Sequence, residues 1–485
     1  MENGRSVQYF ATFALSLATV TLGVSSAWPT PVLPKFRNNE TGVNVTENEI
    51  STMLGMSAPG FMVGSLVAGF ISDMFGRKMT VLASAAPFAC GTLLAATAAH
   101  AWMLYLMKFL WGFGTGLVAS VVTIYLAEVS DKEIRASLSI CTRFMFNFGS
   151  LLIISIGAFL SYSMLNYSIL ALPFIFFVTC LGIPETPHYY LKEGKVEHAK
   201  RSLMKFKGGK NIEEELEFLK QNVKKEMKNS SSPLDLFRGK TYGRPIIIAT
   251  GLKVAQIMTG AITIQQYLGR ITQDIDTDMK LSTHLIIFGV VKFVVGIISS
   301  IFADRIGRRP ILIYSFLGTG VCLVLAGSYF FLQEVIRLDR TELRTFRYVP
   351  FISIILSNVI ATMGFNAIIG VIQAEIFPLN VRAVAMTSLN ILGGILGFIV
   401  PKCYQAIKNG SGLCGVFWIF SCVAFLGAIF SYFMVPETKG KSLHEIQEIL
   451  KIGIDDVPKV DDGMSDVKVD EALELMEHKK ENDLK

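Results

Sequence analysis

The sequence predicts an all-α membrane protein of twelve transmembrane helices, arranged as two pseudo-symmetric six-helix bundles. Three observations carry that prediction. Of 485 residues, 51% are hydrophobic and only 17% charged, whereas soluble domains run about 25% charged. Apolar stretches of about 20 residues, each free of internal acids, recur along nearly the whole chain, and each is long enough to cross a bilayer. Finally, three charged motifs occur twice in the same order. This composition, with a mean hydropathy of +0.48, excludes a soluble enzyme, a secreted disulfide scaffold and a nucleic-acid module. The expected surroundings are a lipid bilayer, and no oligomeric state can be read.

A hydropathy window of about 20 residues places spans near 8–28, 52–72, 79–99, 102–127, 142–161 and 167–183. After a polar stretch come 245–268, 283–303, 311–332, 348–372, 384–406 and 413–435. Lipid offers backbone groups no water, so such spans must be helices. The expected units are an N-terminal bundle (1–183), a linker (184–244), a C-terminal bundle (245–435) and an acidic tail (436–485). The first apolar run ends in Trp28-Pro29-Thr30-Pro31 with no small-residue cleavage site, and reads as an uncleaved first span.

Basic residues set the orientation. Arg77 and Lys78 lie between spans 2 and 3, and Arg305, Arg308 and Arg309 between spans 8 and 9. Lys192, Lys195, Lys200 and Arg201 crowd the linker. They place the linker and both termini in the cytoplasm. The sequons at Asn39 and Asn44 fall in the opposite, outer loop and are candidate glycosylation sites; a third, at Asn229, falls inside and should be silent. Arg337, Arg340, Arg344 and Arg347 run against the bias in the outer 9–10 loop, offset by Glu334, Asp339 and Glu342, but the rule sums over the protein. In the linker, Val196, Ala199, Leu203 and Phe206, then Ile212, Leu216, Leu219, Val223 and Met227, recur at helical spacing and predict amphipathic helices. The acidic residues after 450 predict a disordered or loosely helical tail. Seven cysteines show no metal spacing; Cys403 and Cys414 flank one loop and could pair, while the rest suit small buried hydrophobes.

The repeat defines the architecture. Gly69-x-x-x-Asp73-x-x-Gly76-Arg77-Lys78 returns as Asp304-x-x-Gly307-Arg308-Arg309. Glu128 and Arg135 return, at the same spacing, as Glu375 and Arg382. Pro184-Glu185-Thr186 returns as Pro436-Glu437-Thr438. A duplicated six-helix unit around a central site is a transporter architecture, in which the halves rock to alternate access. All these motifs lie at predicted cytoplasmic helix ends. Topogenesis explains their Arg and Lys but not the matching Asp73, Glu128, Glu185, Glu375 and Glu437, because acids contribute little to orientation. The charges are therefore expected to gate the inner side by pairing between the halves and parting as the cavity opens inward. On that expectation Arg135→Ala and Arg382→Ala bias the protein inward-open.

These residues resemble the sugar porters of the major facilitator superfamily, and within them the insect facilitated trehalose transporter-like group. The resemblance rests on Gly69 to Lys78, Tyr125-Leu126-Ala127-Glu128, Pro184-Glu185-Thr186-Pro187, Asp304 to Arg309, Ala374-Glu375-Ile376-Phe377-Pro378 and Pro436-Glu437-Thr438-Lys439-Gly440-Lys441-Ser442-Leu443. It covers roughly residues 8 to 450 and implies the major facilitator fold, with facilitated diffusion or proton symport of sugars at the plasma membrane. No cofactor is implied. Proton-coupled members carry an Asp in helix 1; here no acid stands between Tyr9 and Pro34, which favours uniport of a sugar such as trehalose or a hexose.

The sugar-contacting positions depart from the family. The helix 5 Gln position holds Arg143 and the helix 8 Asn position holds Lys292. On helix 7 only Gln256 survives as an amide. Helix 10 lacks the family's Pro and Trp, and Gly393-Gly394 stand where helix 11 carries Asn-Trp. Arg143, Lys253 and Lys292 lie within apolar spans, with Lys108 near the start of span 4. A mid-membrane cation costs at least about 2.5–3.5 kcal/mol and needs a wet cavity or a partner. Two readings stay open: long side chains that snorkel, favoured for Lys108 and Lys253, or cavity residues, favoured for Arg143 and Lys292. The candidate substrate-binding residues are thus Gln256, Arg143, Lys292 and Lys253. A cationic cavity suits a carboxylate or phosphate, so an organic-anion carrier is the alternative function; a sensor that binds solute without moving it is the rival from another class. Gly112-Phe113-Gly114-Thr115-Gly116 imitates a nucleotide-binding turn but lies inside a span, where small residues serve helix packing. The six histidines form no metal-ligand cluster.

Overall fold

A computed structural model describes residues 2–131, 134–208, 212–228, 242–275, 278–302, 307–338, 343–377, 379–439, 441, 445–446 and 449–450. Asp304, Arg305, Asn229, Asp339, Arg340, Glu342 and the tail after 450 lie outside the described residues. Among those described, every regular element is a helix.

Among the described residues eleven helices are long and apolar enough to cross a membrane: Arg5–Arg37, Glu47–Phe75, Arg77–Ala96, Ala101–Val129, Ser137–Gly157, Tyr162–Leu181, Gly243–Asp274, Leu281–Ser299, Arg308–Ile336, Arg344–Ile376 and Val384–Met434. The last is 51 residues long and turns at Gly412, where φ is 72°. It therefore supplies spans 11 and 12, and the twelve spans of the sequence are all present.

Two boundaries move for identifiable reasons. Span 1 does not stop at Trp28-Pro29 but continues as a second segment, Pro29–Arg37. Pro29 occupies the first position of that segment, where a missing N–H costs no helical bond. Span 7 is two segments, Gly243–Met258 and Ala261–Asp274, joined at Gly260 in the left-handed region at φ 68°. An added Cβ there would also lie 2.2 Å from the Phe420 ring. Span 10 also breaks, at Gly364 with φ −101° and ψ −112°, between Val349–Met363 and Phe365–Ile376.

Small residues let the spans of one half cross closely. A Cβ on Gly60 or Gly64 would fall 2.2 Å from the carbonyl oxygens of Phe109 or Phe113, and one on Gly112 2.1 Å from that of Ser57. The Gly112–Gly116 run is thus a packing seam between spans 2 and 4. Buried Trp28, Trp111 and Phe176 fill the N-terminal half, while Phe316 and Phe365 stack at 4.5 Å in the C-terminal half. Ile446 and Leu450, beyond the expected end of the C-terminal bundle, are buried in that second core.

Among its described residues the linker forms three helices, Pro187–Lys192, Val196–Lys207 and Ile212–Lys228. The first, short one escapes a periodicity argument; Thr186 caps it by accepting from Tyr189 N. Ala199, Leu203 and Phe206 are buried as their spacing predicts, whereas Val196 is exposed. The linker docks on the N-terminal half: Gln8 Nε2 donates to the Phe206 carbonyl at 2.9 Å, and Lys207 pairs with Asp131 at 2.6 Å. Asn39 and Asn44 are exposed on the opposite, sequon face. All seven cysteines are free, so Cys403 and Cys414 are not bridged.

The halves meet differently on the two faces. On the sequon face Thr30 Oγ1 donates to the Gln265 carbonyl at 3.0 Å, and Arg270 Nε to that of Leu33 at 3.2 Å. Arg270 also pairs with Glu47, and Arg37 with Asp274 at 2.5 Å. On the linker face a vestibule of about 1210 Å3 is lined by Asp73, Glu128 and Arg135 on one side and by Thr387, Asn390 and Ile391 of span 11 on the other. The molecule is closed on the sequon face and open on the linker face.

Candidate transport site

A central pocket of about 390 Å3 sits between the halves. Spans 1 and 4 contribute Ser25, Ser26, Lys108, Trp111 and Thr115; spans 7 and 11 contribute Lys253, Gln256, Gln266, Asn390 and Gly393. Asn390 lines both the pocket and the vestibule, so the two cavities adjoin at that residue. Gln256 Nε2 donates to Asn366 Oδ1 at 3.0 Å, which fixes the amide that the sequence singled out.

Lys108 does not snorkel. Its side chain is only 3% exposed, and its ammonium lies 5.0 Å from the Trp28 ring and 5.1 Å from the Trp111 ring while donating to the Ser25 carbonyl at 3.2 Å. Two aromatic faces attract an ammonium through their quadrupoles. The cage is itself fixed, because Trp28 Nε1 donates to Asn166 and Trp111 Nε1 to the Phe88 carbonyl.

Lys253 also faces the pocket, and the glycine pair on span 11 explains how. A Cβ on Gly393 would lie 2.8 Å from Lys253 Cε, and one on Gly394 2.1 Å from Met62 Cγ. The lysine on span 7 is therefore accommodated by the missing side chain on span 11. Among the described residues Lys253 makes no hydrogen bond or ion pair, and no carboxylate lines the pocket.

The other two candidate cations stand elsewhere. Arg143 is exposed on span 5, its carbonyl accepting from Asn147 Nδ2 at 3.0 Å. Lys292 is half-buried on span 8, between Gly289, which packs on Leu151 and Ile154, and Gly296, which packs on Asn147. It therefore marks the crossing of spans 5 and 8. Neither Arg143 nor Lys292 is among the residues lining the central pocket. Of the four cations, Lys108 and Lys253 line the central pocket, although their nearness to span ends favours snorkelling, while Arg143 and Lys292 do not line it; distance from a span end says nothing about which face a neighbouring helix covers.

The repeated charges build two related clusters on the linker face. In the N-terminal half Arg77 pairs with Glu128 at 3.1 Å and Asp73 at 3.8 Å, and Asp73 also pairs with Lys192 at 2.8 Å. Glu185 accepts from the backbone N–H groups of Arg77 and Lys78. Gly76, at φ 97°, makes this possible: a Cβ would lie 2.3 Å from Glu185 Oε2. In the C-terminal half Arg308 pairs with Glu375 at 3.4 Å, Glu437 accepts from the N–H groups of Arg308 and Arg309, and Thr438 donates to Glu375 at 2.6 Å. Arg135 donates to the Ser130 carbonyl and Arg382 to that of Phe377, each five residues back. These pairs join elements of one half or, through Glu185 and Lys192, a half to the linker docked on it. Burial pushes the Glu185 carboxyl above its usual range despite its N–H partners. At Glu437 burial works in the same direction, but the N–H groups of Lys439, Arg308 and Arg309 outweigh it and hold the carboxyl low.

Known proteins agree with this architecture. The chain is 30% identical over 444 residues to the facilitated trehalose transporter Tret1 of Culex quinquefasciatus, covering 91% of this chain and 85% of the relative. Its likeness to the Tret1 of Bombyx mori is 29% over 92% of this chain and 87% of that one. Among solved structures, the inward-open xylose transporter XylE from E. coli superposes with a TM-score of 0.74 at 20% identity, over 91% of this chain and 99% of that chain. XylE bound to 6-bromo-6-deoxy-D-glucose, described as a proton:xylose symporter, superposes with a TM-score of 0.70 at 21% identity over 92% and 100%. Those structures share the fold. The family model for sugar (and other) transporters matches residues 10–450. The chain is a multi-pass membrane protein that belongs to the sugar (and other) transporter family.

Proposed function

We propose that this protein is a facilitative carrier that moves a sugar, such as trehalose or a hexose, across the plasma membrane by alternating access. The observation that carries this reading is a polar pocket shared by both halves, adjoining the vestibule of one face at Asn390 and shut from the other by Arg270, Glu47, Arg37 and Asp274. The linker face is cytoplasmic and the sequon face external, with Asn39 and Asn44 available for glycosylation. Transport is uniport and not an enzymatic conversion: the pocket offers amides, hydroxyls and ammonium groups but no carboxylate to carry a proton. In this state the repeated charges tie helix ends together within each half, and the gating role falls to Arg135, which is exposed on the vestibule wall facing span 11.

Counterflow of labelled trehalose and glucose into proteoliposomes tests the reading. Saturable uptake that a protonophore leaves unchanged is expected. Binding without counterflow would make the protein a sensor, and uptake that collapses with the proton gradient would make it a symporter.

A further inference from the structure

The central pocket has an electrical asymmetry that a neutral sugar does not answer. One cation comes from each half, Lys108 on span 4 and Lys253 on span 7, and the lining holds no carboxylate. Lys108 lies against two indole faces and commits one donor to the Ser25 carbonyl. An ammonium has three donors, which leaves two unspent. Lys253 spends none among the described residues. Lys253 is half-buried on the pocket wall with no carboxylate facing it, so an anionic group in the pocket would be the partner that completes its hydrogen bonds. The remaining lining, with Gln256, Gln266, Ser26 and Asn390, both donates and accepts, which suits hydroxyl groups.

Resting on the reading of this pocket as the transport site, we infer that the protein takes sugars carrying an anionic oxygen group, a carboxylate or a phosphate, in preference to neutral sugars. The anionic group lies between the two lysines and the hydroxyls meet the amides. Because the lysines belong to different halves, such a solute holds the halves together around itself as it binds.

The test compares glucuronate, glucose 6-phosphate and glucose on the full-length protein, by thermal shift and by counterflow. Lys253→Gln is the main variant, since Lys108 is built into the tryptophan cage and its replacement can unfold the protein. Charge-assisted hydrogen bonds are roughly twice as strong as neutral ones. The ratio of acidic-sugar to glucose affinity should therefore exceed 10-fold in the wild type, fall about 10-fold in Lys253→Gln, and recover in Lys253→Arg. The two acidic probes separate a carboxylate site from a phosphate site. Counterflow of glucose with no preference for either acidic sugar, or a preference untouched in Lys253→Gln, overturns this inference and leaves the carrier reading standing. Dose-dependent stabilisation by an acidic sugar that Lys253→Gln loses, without counterflow of any solute, supports the anion site and overturns the carrier reading instead.

Discussion

On the linker face Arg77 pairs with Glu128 inside one half, whereas on the sequon face Arg270 pairs with Glu47 across the two halves. The same chemistry therefore does different work. Within a half, charged pairs bind helix ends into a unit that moves as a body. Between halves, they hold one of two arrangements, and a conformational equilibrium responds only to contacts that differ between its states. Breaking a linker-face pair should lower stability, and breaking a sequon-face pair should shift the state that is populated.

The largest effect is expected for Arg77→Ala. The Arg77 and Glu128 side chains are 5% and 10% exposed, and removing one partner of a buried pair costs about 3–5 kcal/mol. Its counterparts Arg308 and Glu375 are more open, at 12% and 28%, so Arg308→Ala should lower the melting temperature in detergent by less. Arg270→Ala comes next. It removes charge-assisted bonds worth about 1.5–3 kcal/mol, and its readout is access. A cysteine placed at the fully buried Thr30 should react with an impermeant maleimide at least about 10-fold faster, since 1.4 kcal/mol is a factor of ten. Unchanged labelling would show that Arg270 is not part of a latch.

Gly76→Ala should destabilise by about 1–3 kcal/mol, the cost of holding a non-glycine residue at φ 97° and ψ 168°, with the clash against Glu185 added. Gly307→Ala should cost less, because φ there is an ordinary −59°. Equal losses would mean that contact with the acid, not backbone strain, sets the penalty.

The smallest effect concerns pH, and its sign differs between the repeats. Glu437 titrates below its ordinary 4.5 when folded. The unfolded chain then binds more protons, and the stability Glu437 contributes is present above 4.5 and lost as pH falls through its folded value. Glu185 titrates above 4.5, so its favourable contribution is present below 4.5 and lost as pH rises. Melting temperatures measured from pH 4 to pH 7 should therefore show Glu437→Gln losing ground to the wild type as pH rises, and Glu185→Gln gaining on it. Parallel curves would remove the distinction between the two acids.

The sequence alone determined the twelve spans, the duplication and the inventory of repeated charges. Hydropathy over about 20 residues responds to a bilayer whatever the tertiary contacts, and the repeated motifs keep their partners within one six-helix unit. Phe206 and Leu203 likewise announced the linker helix through spacing, although the side on which it docks needed Gln8 and Asp131. What only the tertiary structure decided was which cations share a cavity. Lys108 finds Trp28 on another span, Lys253 fits beside Gly393, and Arg270 meets Glu47 across the two halves. Those pairings join residues 80, 140 and 223 positions apart, and they depend on how helices rotate and cross. Hydropathy does not encode that rotation; close packing of Gly60, Gly64 and Gly112 against neighbouring backbone fixes it.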